Sequence, residues 1–514
     1  MVNNSQDMLA TSKDYQAMLP YWKKVAAFVE GADAVKKAGE LYLPKLPNET
    51  PINYKYRLNN ARFTNIYRDI VENLASKPFS KEVKLDEMNP SEALKGIVED
   101  IDGSGTHLNV FSNNVFFEGI NSGITWVMVD YPSVPANATL ADERKLGVRP
   151  YWVQIDAKDL LWVESAIIDG HEQIVYAKIH EPRTARNEDG TEKTVDRVRI
   201  LVRDQTTEGY APARFEVWEK DTDWKLVEDG SISIGVIPLV PFYTGRRRGA
   251  TWQIIPPMSG VADAQIEHYQ EETKYKIARE LCAFPMLVAK GIDAPTTDEK
   301  GNQIITPVGP GIVLYAPPYD AGGGTISHGD WGIIEPQTSS LKLLSDEIDK
   351  LEAKMRELGR QPLTSSSTGL TQVAAAFASQ KAASAVQAWA YILKDALENC
   401  FALTSKWLDI GDEPSVFVNS DFAIEIGEDK QPDILFSMQK DGILSRETFW
   451  QEMMRRNILS SNFDPEKEEK KLEAELPDDS EDDFNAAMTP DKGDSSNDVV
   501  DGKQAAFANP TGRT

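Results

Sequence analysis

Apolar and polar positions alternate along the chain with two periods, and the period changes where the architecture is expected to change. Short helical pieces are predicted over residues 1–45, most clearly in "YWKKVAAFVEGADAVKKAGE", before "LPKLPNETP" interrupts them. From Tyr54 to Ser76, Leu58, Phe63, Ile66, Ile70 and Leu74 mark one stripe, predicting a single amphipathic helix. Pro78 closes it, because proline cannot continue the hydrogen-bond ladder. Further helices are expected in "PSEALKGIVEDID" and "THLNVFSNNVFFEGINSG". At Ile124 the period drops to two. "ITWVMVDYP", "YWVQIDAKDLLWVES", "EQIVYAKIHE", "DRVRILVRD" and "ARFEVWEKD" read as strands between turn segments, and "GVIPLVPFYTGRRRGA" ends the run. Residues 46–257 therefore read as one α+β module.

Helical spacing returns from about Ser259 to Leu281, with Ala262, Ile266, Tyr269, Thr273 and Ile277 on one face. Residues 284–337 revert to strand and turn. From Ser339 onward, Leu341, Leu344, Ile348, Leu351, Met355 and Leu358 follow each other at spacings of three and four, a heptad seam. A helix of roughly 20 residues spans about 30 Å. Next comes "RQPLTSSSTGLTQVAAAFASQKAAS", which holds no charged side chain from Gln361 to Gln380. Helix resumes through "AFASQKAASAVQAWAYILKDALENCFALTSKWLD", followed by a strand in "PSVFVNSDFAIEIGED" and helix in "QPDILFSMQKDGILSRETFWQEMMRRNIL". The stretch from about Asp478, rich in Asp, Ser, Asn and Gly, has little to bury and is expected to be disordered. No internal repeat is visible.

The 514 residues are enough for more than one module, and no run of about 18 apolar residues predicts a membrane span. The first residues lack the basic-then-apolar pattern of a secretory signal, and two cysteines, Cys282 and Cys400, are too few for a disulfide framework. Both features fit synthesis in a reducing, intracellular compartment. The net charge of −26 changes the picture most, since a protein that grips DNA by its phosphates needs clustered Lys and Arg. Any contact with nucleic acid should be local or weak.

Several chemistries fail on their spacing. "DIDGSGTHLNVF" opens like a calcium loop with Asp100, Asp102, Ser104 and Gly105, but Phe111 stands where a bidentate carboxylate is required. "GRRRGATW" lacks G-K-[ST], so no P-loop is present. His171-Glu172 has no second histidine at helical spacing, and there is no G-x-S-x-G elbow. His107, His180, His268 and His328 do not cluster. No catalytic residue, metal site or cofactor is predicted, and the chain is read as a non-enzyme. The seam also reads as an ordinary core or coiled-coil face, and Arg246, Arg247 and Arg248 as a solvated turn.

The order of elements resembles that of phage portal proteins, within a portal-like family of phage and prophage proteins catalogued as a domain of unknown function. The residues that carry the resemblance are "YLPKLPNETPINYKYRLNNARFTNIYRDIVENLASKPF", "GINSGITWVMVDYP" with Asp130 and Pro132, "YWVQIDAKDLLWVE", "IPLVPFYTGRRRG", "IIPPMSGVADAQIEHYQEETKYKI" and "DGILSRETFWQEMMRRNIL". They extend over roughly residues 42–475, and their order and spacing matter more than any single motif. The resemblance implies an α+β, portal-type subunit with wing, helical stem, small β-rich clip and helical crown, assembling into a ring. On this pattern an N-terminal helical segment (1–45) precedes the wing (46–257, completed by a long helix and strand at 373–427). The stem comprises 258–283 and 338–360, the clip 284–337, the tunnel loop 361–372, and the crown 428–477, before an acidic tail (478–514).

The resemblance further implies a ring of usually twelve copies at one capsid vertex, in the virion and, during assembly, in the host cytoplasm. Double-stranded DNA would be packaged through it by a separate terminase and later ejected. The partners implied are the terminase large subunit, the major capsid or scaffold protein, head–tail adaptor proteins and transient, non-specific duplex DNA, with no membrane. Thr364, Ser365, Ser366, Ser367, Thr368 and Gly369 fall where portals place the loop that faces DNA. A sliding duplex should meet no deep wells there, which accounts for hydroxyls rather than Lys or Arg. Two rival readings are a non-ring adaptor that pairs through the heptad helix and a carboxylate-based hydrolase with a deep pocket.

Overall fold

The structure, a computed structural model, describes residues 7–85, 91–132, 148–187, 189–207, 209–283, 286–290, 318–320, 326–334, 339–359, 372–411, 414–420, 431–440 and 445–455, with isolated positions 422, 442, 459, 467, 468, 470 and 471. The chain forms two compact units, Met1–Ile424 and Glu425–Thr514.

In the first unit, helix α1 (Lys13–Glu30) starts where the Ser12 hydroxyl accepts from the Tyr15 amide, and it buries Met18, Trp22, Val25 and Phe28. A short α2 (Ala32–Lys37) follows. The single helix expected from Tyr54 to Ser76 is instead two, α3 (Pro51–Asn60) and α4 (Ile66–Ser76). Asn65 caps α4 by accepting from the Arg68 amide, and the amide and hydroxyl of Thr64 donate to the Glu272 carboxylate far along the chain. Ile66, Ile70 and Leu74 are buried as the stripe predicts, while Leu58 and Phe63 are partly buried. Helices α5 (Glu92–Glu99) and α6 (Leu108–Ser122) match their segments, and α6 ends on Gly123 in the left-handed region.

A three-stranded antiparallel sheet lies at the centre, with Ile124–Asp130 between Leu239–Tyr243 and Tyr151–Ile155. Its middle strand is buried along almost its whole length, with helices packed against it. Beside it stands a second antiparallel sheet, ordered Trp224–Ser231, Arg214–Lys220, Glu192–Val202, His171–His180 and Leu160–Ile168, with Arg183–Arg186 also pairing with the Glu192–Val202 strand. Two of these strands are not predicted from sequence. Arg183–Arg186 and Trp224–Ser231 are largely exposed, so neither needs the apolar alternation that reveals a strand.

Helix α7 (Ser259–Ala283) leads to the strand Met286–Lys290, and Asp330–Ile334 leads back to α8 (Ser339–Leu358), before the long α9 (Gln372–Leu408). Of the strand predicted after α9, the described residues show a two-residue pairing, Val416–Phe417 with Lys84–Leu85, and the part from Ala423 on lies outside them. The main core gathers Phe28, Tyr67, Phe116, Trp152, Phe242, Tyr269, Met355 and Phe401; a second cluster around Trp22, Trp126 and Leu160 joins the two sheets. In the second unit the helical stretch is divided into α10 (Gln431–Lys440) and α11 (Arg446–Arg455), with Gly442 at φ 72° between them.

Gly119 shows how closely α6 meets the central sheet. A Cβ there would lie 2.2 Å from a ring carbon of Phe242, whose ring stacks on Phe116 in the core. Gly119→Ala is expected to destabilise the fold by about 1–3 kcal/mol, despite alanine's better helix propensity. A thermal melt of the variant at or above wild type would show that the ring has room to shift.

Candidate functional site

Helices α7 and α8 pack antiparallel, and two contacts define their register. A side chain grown from Gly260 would meet Leu358 at 3.9 Å, and His268 Nε2 lies 3.2 Å from Glu352 Oε1. The same register runs on into the strands, where Met286 pairs with Ile334 and Lys290 with Asp330. Helices and strands thus form one hairpin. At its far end Pro318–Asp320 pairs with Ile326–His328; the rest of the predicted clip lies outside the described residues.

The hairpin is tied to the core through a polar layer on α7 that the apolar stripe does not reveal. Gln265 accepts from the Tyr67 amide at 2.9 Å and donates to the Thr64 carbonyl at 2.9 Å. Glu272 receives the Thr64 amide and hydroxyl at 3.1 and 2.8 Å and pairs with Arg62 at 2.9 Å. His268 is fully buried between Glu352 and Glu272. Nε2 faces the Glu352 carboxylate, whereas Nδ1 makes no hydrogen bond and stands 3.9 Å from Glu272. Sequence offered one clue to this layer, the run of Gln265, His268 and Glu272 at spacings of three and four. Of the predicted α7 face, Ala262, Tyr269 and Thr273 are buried, and Ile266 and Ile277 half-buried.

The seam on α8 is unevenly covered. Ile348, Leu351 and Met355 are buried in the chain's own interior, Leu341 and Leu344 are half-buried, and Leu358 is exposed. Arg356 reaches Asp69 of α4 at 3.1 Å, and the close approach of Gly359 to Ile70 clamps the end of the helix. The tunnel-loop residues Thr364, Ser365, Ser366, Ser367, Thr368 and Gly369 lie outside the described residues.

Electrostatically, α7 and α8 offer no basic track. Over α7 and α8 the sequence holds ten Asp and Glu against seven Lys and Arg. Of the arginine triplet, Arg247 is held within the chain. Arg247 stacks 3.9 Å over Trp252 and forms a two-pronged pair with Glu172, both contacts at 2.7 Å, which holds that carboxyl below its usual range. Arg246 and Arg248 are exposed.

The Asp130 carboxylate is similarly committed. A cleft of about 750 Å³ between the two sheets is lined by Asp130, Tyr151, Arg199 and Trp407 among others. Asp130 accepts from Arg199 at 2.9 Å and from Tyr151 at 3.1 Å, and burial together with that carboxylate pushes the Tyr151 hydroxyl up to about 12. The failed calcium loop closes on itself, since Asp100 and Asp102 accept the amides of Gly105, Ser104 and Thr106. Among the described residues no three His, Cys, Asp or Glu side chains group as metal ligands, and no helix is long and apolar enough to cross a membrane.

Residues 257–408, which begin just before α7 and end with α9, match a family model described as a domain of unknown function, DUF4055. No curated protein matches the chain. Among solved structures, the chain is similar to a chain in the neck of a native gene transfer agent particle computed with C12 symmetry, at 10% identity and a TM-score of 0.39, over 80% of this chain and 97% of that one. It is also similar to a chain in the neck of an empty particle computed with C6 symmetry, at 11% identity and a TM-score of 0.41, over 74% and 88%. A third is a chain in the virion of the native particle, at 10% identity and a TM-score of 0.35, over 85% and 98%.

Proposed function

We propose that this chain is the portal, or head–tail connector, subunit of a phage-like particle, and that copies of it close into a ring through which double-stranded DNA passes. The observation that carries the reading is the α7–α8 hairpin. It leaves the core as a helix, turns through paired strands and returns in one register, with part of its α8 seam uncovered. Such a spoke finds cover when the same element of a neighbouring copy packs beside it, and a head-to-tail arrangement that closes gives a ring. Twelve copies, a terminase motor, capsid or scaffold protein and head–tail adaptors are the corresponding partners, at the portal vertex of the virion. The chain's own part is passive: a conduit with no basic track on α7 and α8 exerts little hold on phosphates there.

Negative-stain electron microscopy with native mass spectrometry on the same sample tests this. Rings with a central hole of about 20 Å or more, wide enough for a duplex, support it. A monodisperse monomer, dimer or trimer, alone and with capsid protein present, would refute it. In assembled particles, replacing Ser365, Ser366 and Ser367 together with lysine is expected to slow packaging, because each copy then adds phosphate-binding charge at the channel. An unchanged packaging rate would remove the tunnel-loop assignment and leave the ring standing.

A further inference from the structure

The second sheet has two faces, and they are covered very differently. Side chains alternate along its strands, so Ala177 and Leu201 fall on the face that joins the central sheet, while Tyr176, Lys178, Val198 and Ile200 fall on the outer one. On the outer face Val198, Ile200 and Trp218 form a small apolar cluster, with Tyr176 and Trp224 at its margin. Among the described residues, this cluster takes only Met8 and Leu9 from outside the sheet. Met8 is 3% exposed, whereas Asp7 and Ala10 on either side of that pair face solvent.

The segment that brings Met8 to the sheet is lightly held. Lys178 Nζ donates to the Ala10 carbonyl at 3.2 Å, and among the described residues no other hydrogen bond joins residues 7–10 to the sheet. Two further bonds are internal, from the amides of Leu9 and Ala10 back to Asp7. The grip changes at Ser12. Its amide donates to the Leu161 carbonyl at 3.0 Å, its hydroxyl caps α1, and α1 runs through both large cores. Beside Met8 lies a cavity of about 510 Å³, lined by Trp162, Tyr176 and Ile200 as well as by Asp7, Met8 and Ala10.

Ordering four residues costs chain entropy of the same order as one buried methionine and one charge-assisted hydrogen bond return. The balance is local, because the outer cluster is separate from the two large cores and uncovering it leaves them intact.

We propose that residues 7–10 are a strap that opens and closes over the outer face of the second sheet, hinged between Ala10 and Ser12, while the rest of the chain stays folded. Lys178 is its catch and Met8 its plug. Opening joins the cavity to the seat of Met8 and bares an apolar surface around Ile200 and Trp218 that the closed strap withholds. Strap opening is independent of ring formation, since every contact named here lies within one chain.

The test uses the full-length protein with Ile200→Cys, which places a thiol opposite Lys178 on the neighbouring strand, at a position 7% exposed. A polyethylene glycol maleimide, too bulky for the cavity, reaches it only when the strap is open. Modification at position 200 is read by peptide mass spectrometry, which separates it from Cys282 and Cys400. Global unfolding of the same protein in urea is followed by circular dichroism. Labelling of the folded protein at a rate nearly flat in low urea, and raised about tenfold by adding Met8→Gln, bears the strap out. Labelling that tracks global unfolding, or is absent below the unfolding transition, overturns it, because residues 7–10 then open only with the whole fold. An equal rate with and without Met8→Gln overturns it too, since Met8 is then not what covers the site. Val198→Cys, at a fully buried position of the same cluster, is the second reporter should Ile200→Cys not fold.

Discussion

Replacing Trp152 with alanine is expected to cost about 3–5 kcal/mol, the range for emptying a large aromatic site in a core. Trp152 sits on the central sheet with none of its surface exposed. Its ring lies edge-on to Phe111 of α6 at 5.9 Å and to Phe401 of α9 at 4.8 Å, and its Nε1 donates to the Thr404 hydroxyl at 2.9 Å. That hydroxyl in turn donates to the Cys400 carbonyl one turn earlier on α9. One side chain therefore joins the sheet to helices that precede and follow it. Trp152→Phe should cost less, since it keeps much of the aromatic contact and loses mainly one buried hydrogen bond, about 1 kcal/mol. Thermal melts of the two variants decide the matter. Equal melting temperatures for Trp152→Ala and wild type would mean that α9 does not depend on this anchor.

The second large effect is electrostatic. Glu118 on α6 is half-buried beside the Tyr67–Asn121 pair, with Ser122 and Asn121 donating to its carboxyl, and among the described residues it forms no ion pair. Burial pushes it up to about 7 from an ordinary 4.5, against the lowering effect of those hydrogen bonds. A carboxyl raised in the folded state holds its proton where the unfolded chain has released it. The associated stability is fully present below about pH 4.5 and is lost as pH rises through about 7. A shift of that size corresponds to roughly 3 kcal/mol over the window. Glu118→Gln, which cannot ionise, should gain on wild type in melting temperature from pH 5 to pH 8. A constant difference between the two across that range would place the wild-type carboxylate in a solvated or paired state and refute the assignment.

The sequence conveyed the helices and strands whose partners are nearby or whose burial is regular. The α8 heptad is such a case: its middle members, Ile348, Leu351 and Met355, are the buried ones. Where a distant residue decides, periodicity misleads. Leu58, Phe63 and Ile66 fit a continuous helix, yet the chain breaks at 61–65, where Thr64 finds Glu272 more than two hundred positions away. Arg247 reads as a solvated turn until Glu172 and Trp252 are seen to hold it from both sides. The polar layer of Gln265, His268 and Glu272 is hardest to foresee. These residue types normally face water, and only the partners brought by α4 and α8 make their burial tolerable.

The shared register of α7, α8 and their strands carries a mechanical corollary. Sliding one helix along the other by a single residue moves it about 1.5 Å, whereas slipping the attached strands by one residue moves them about 3.4 Å and turns every side chain to the opposite face. The two step lengths are incommensurate, so the halves of the hairpin cannot creep past each other in small increments. Force applied at the stranded tip must reach the His268 layer as a rotation or a bend of the whole lever, with the clamp at Gly359 and Ile70 as its fulcrum.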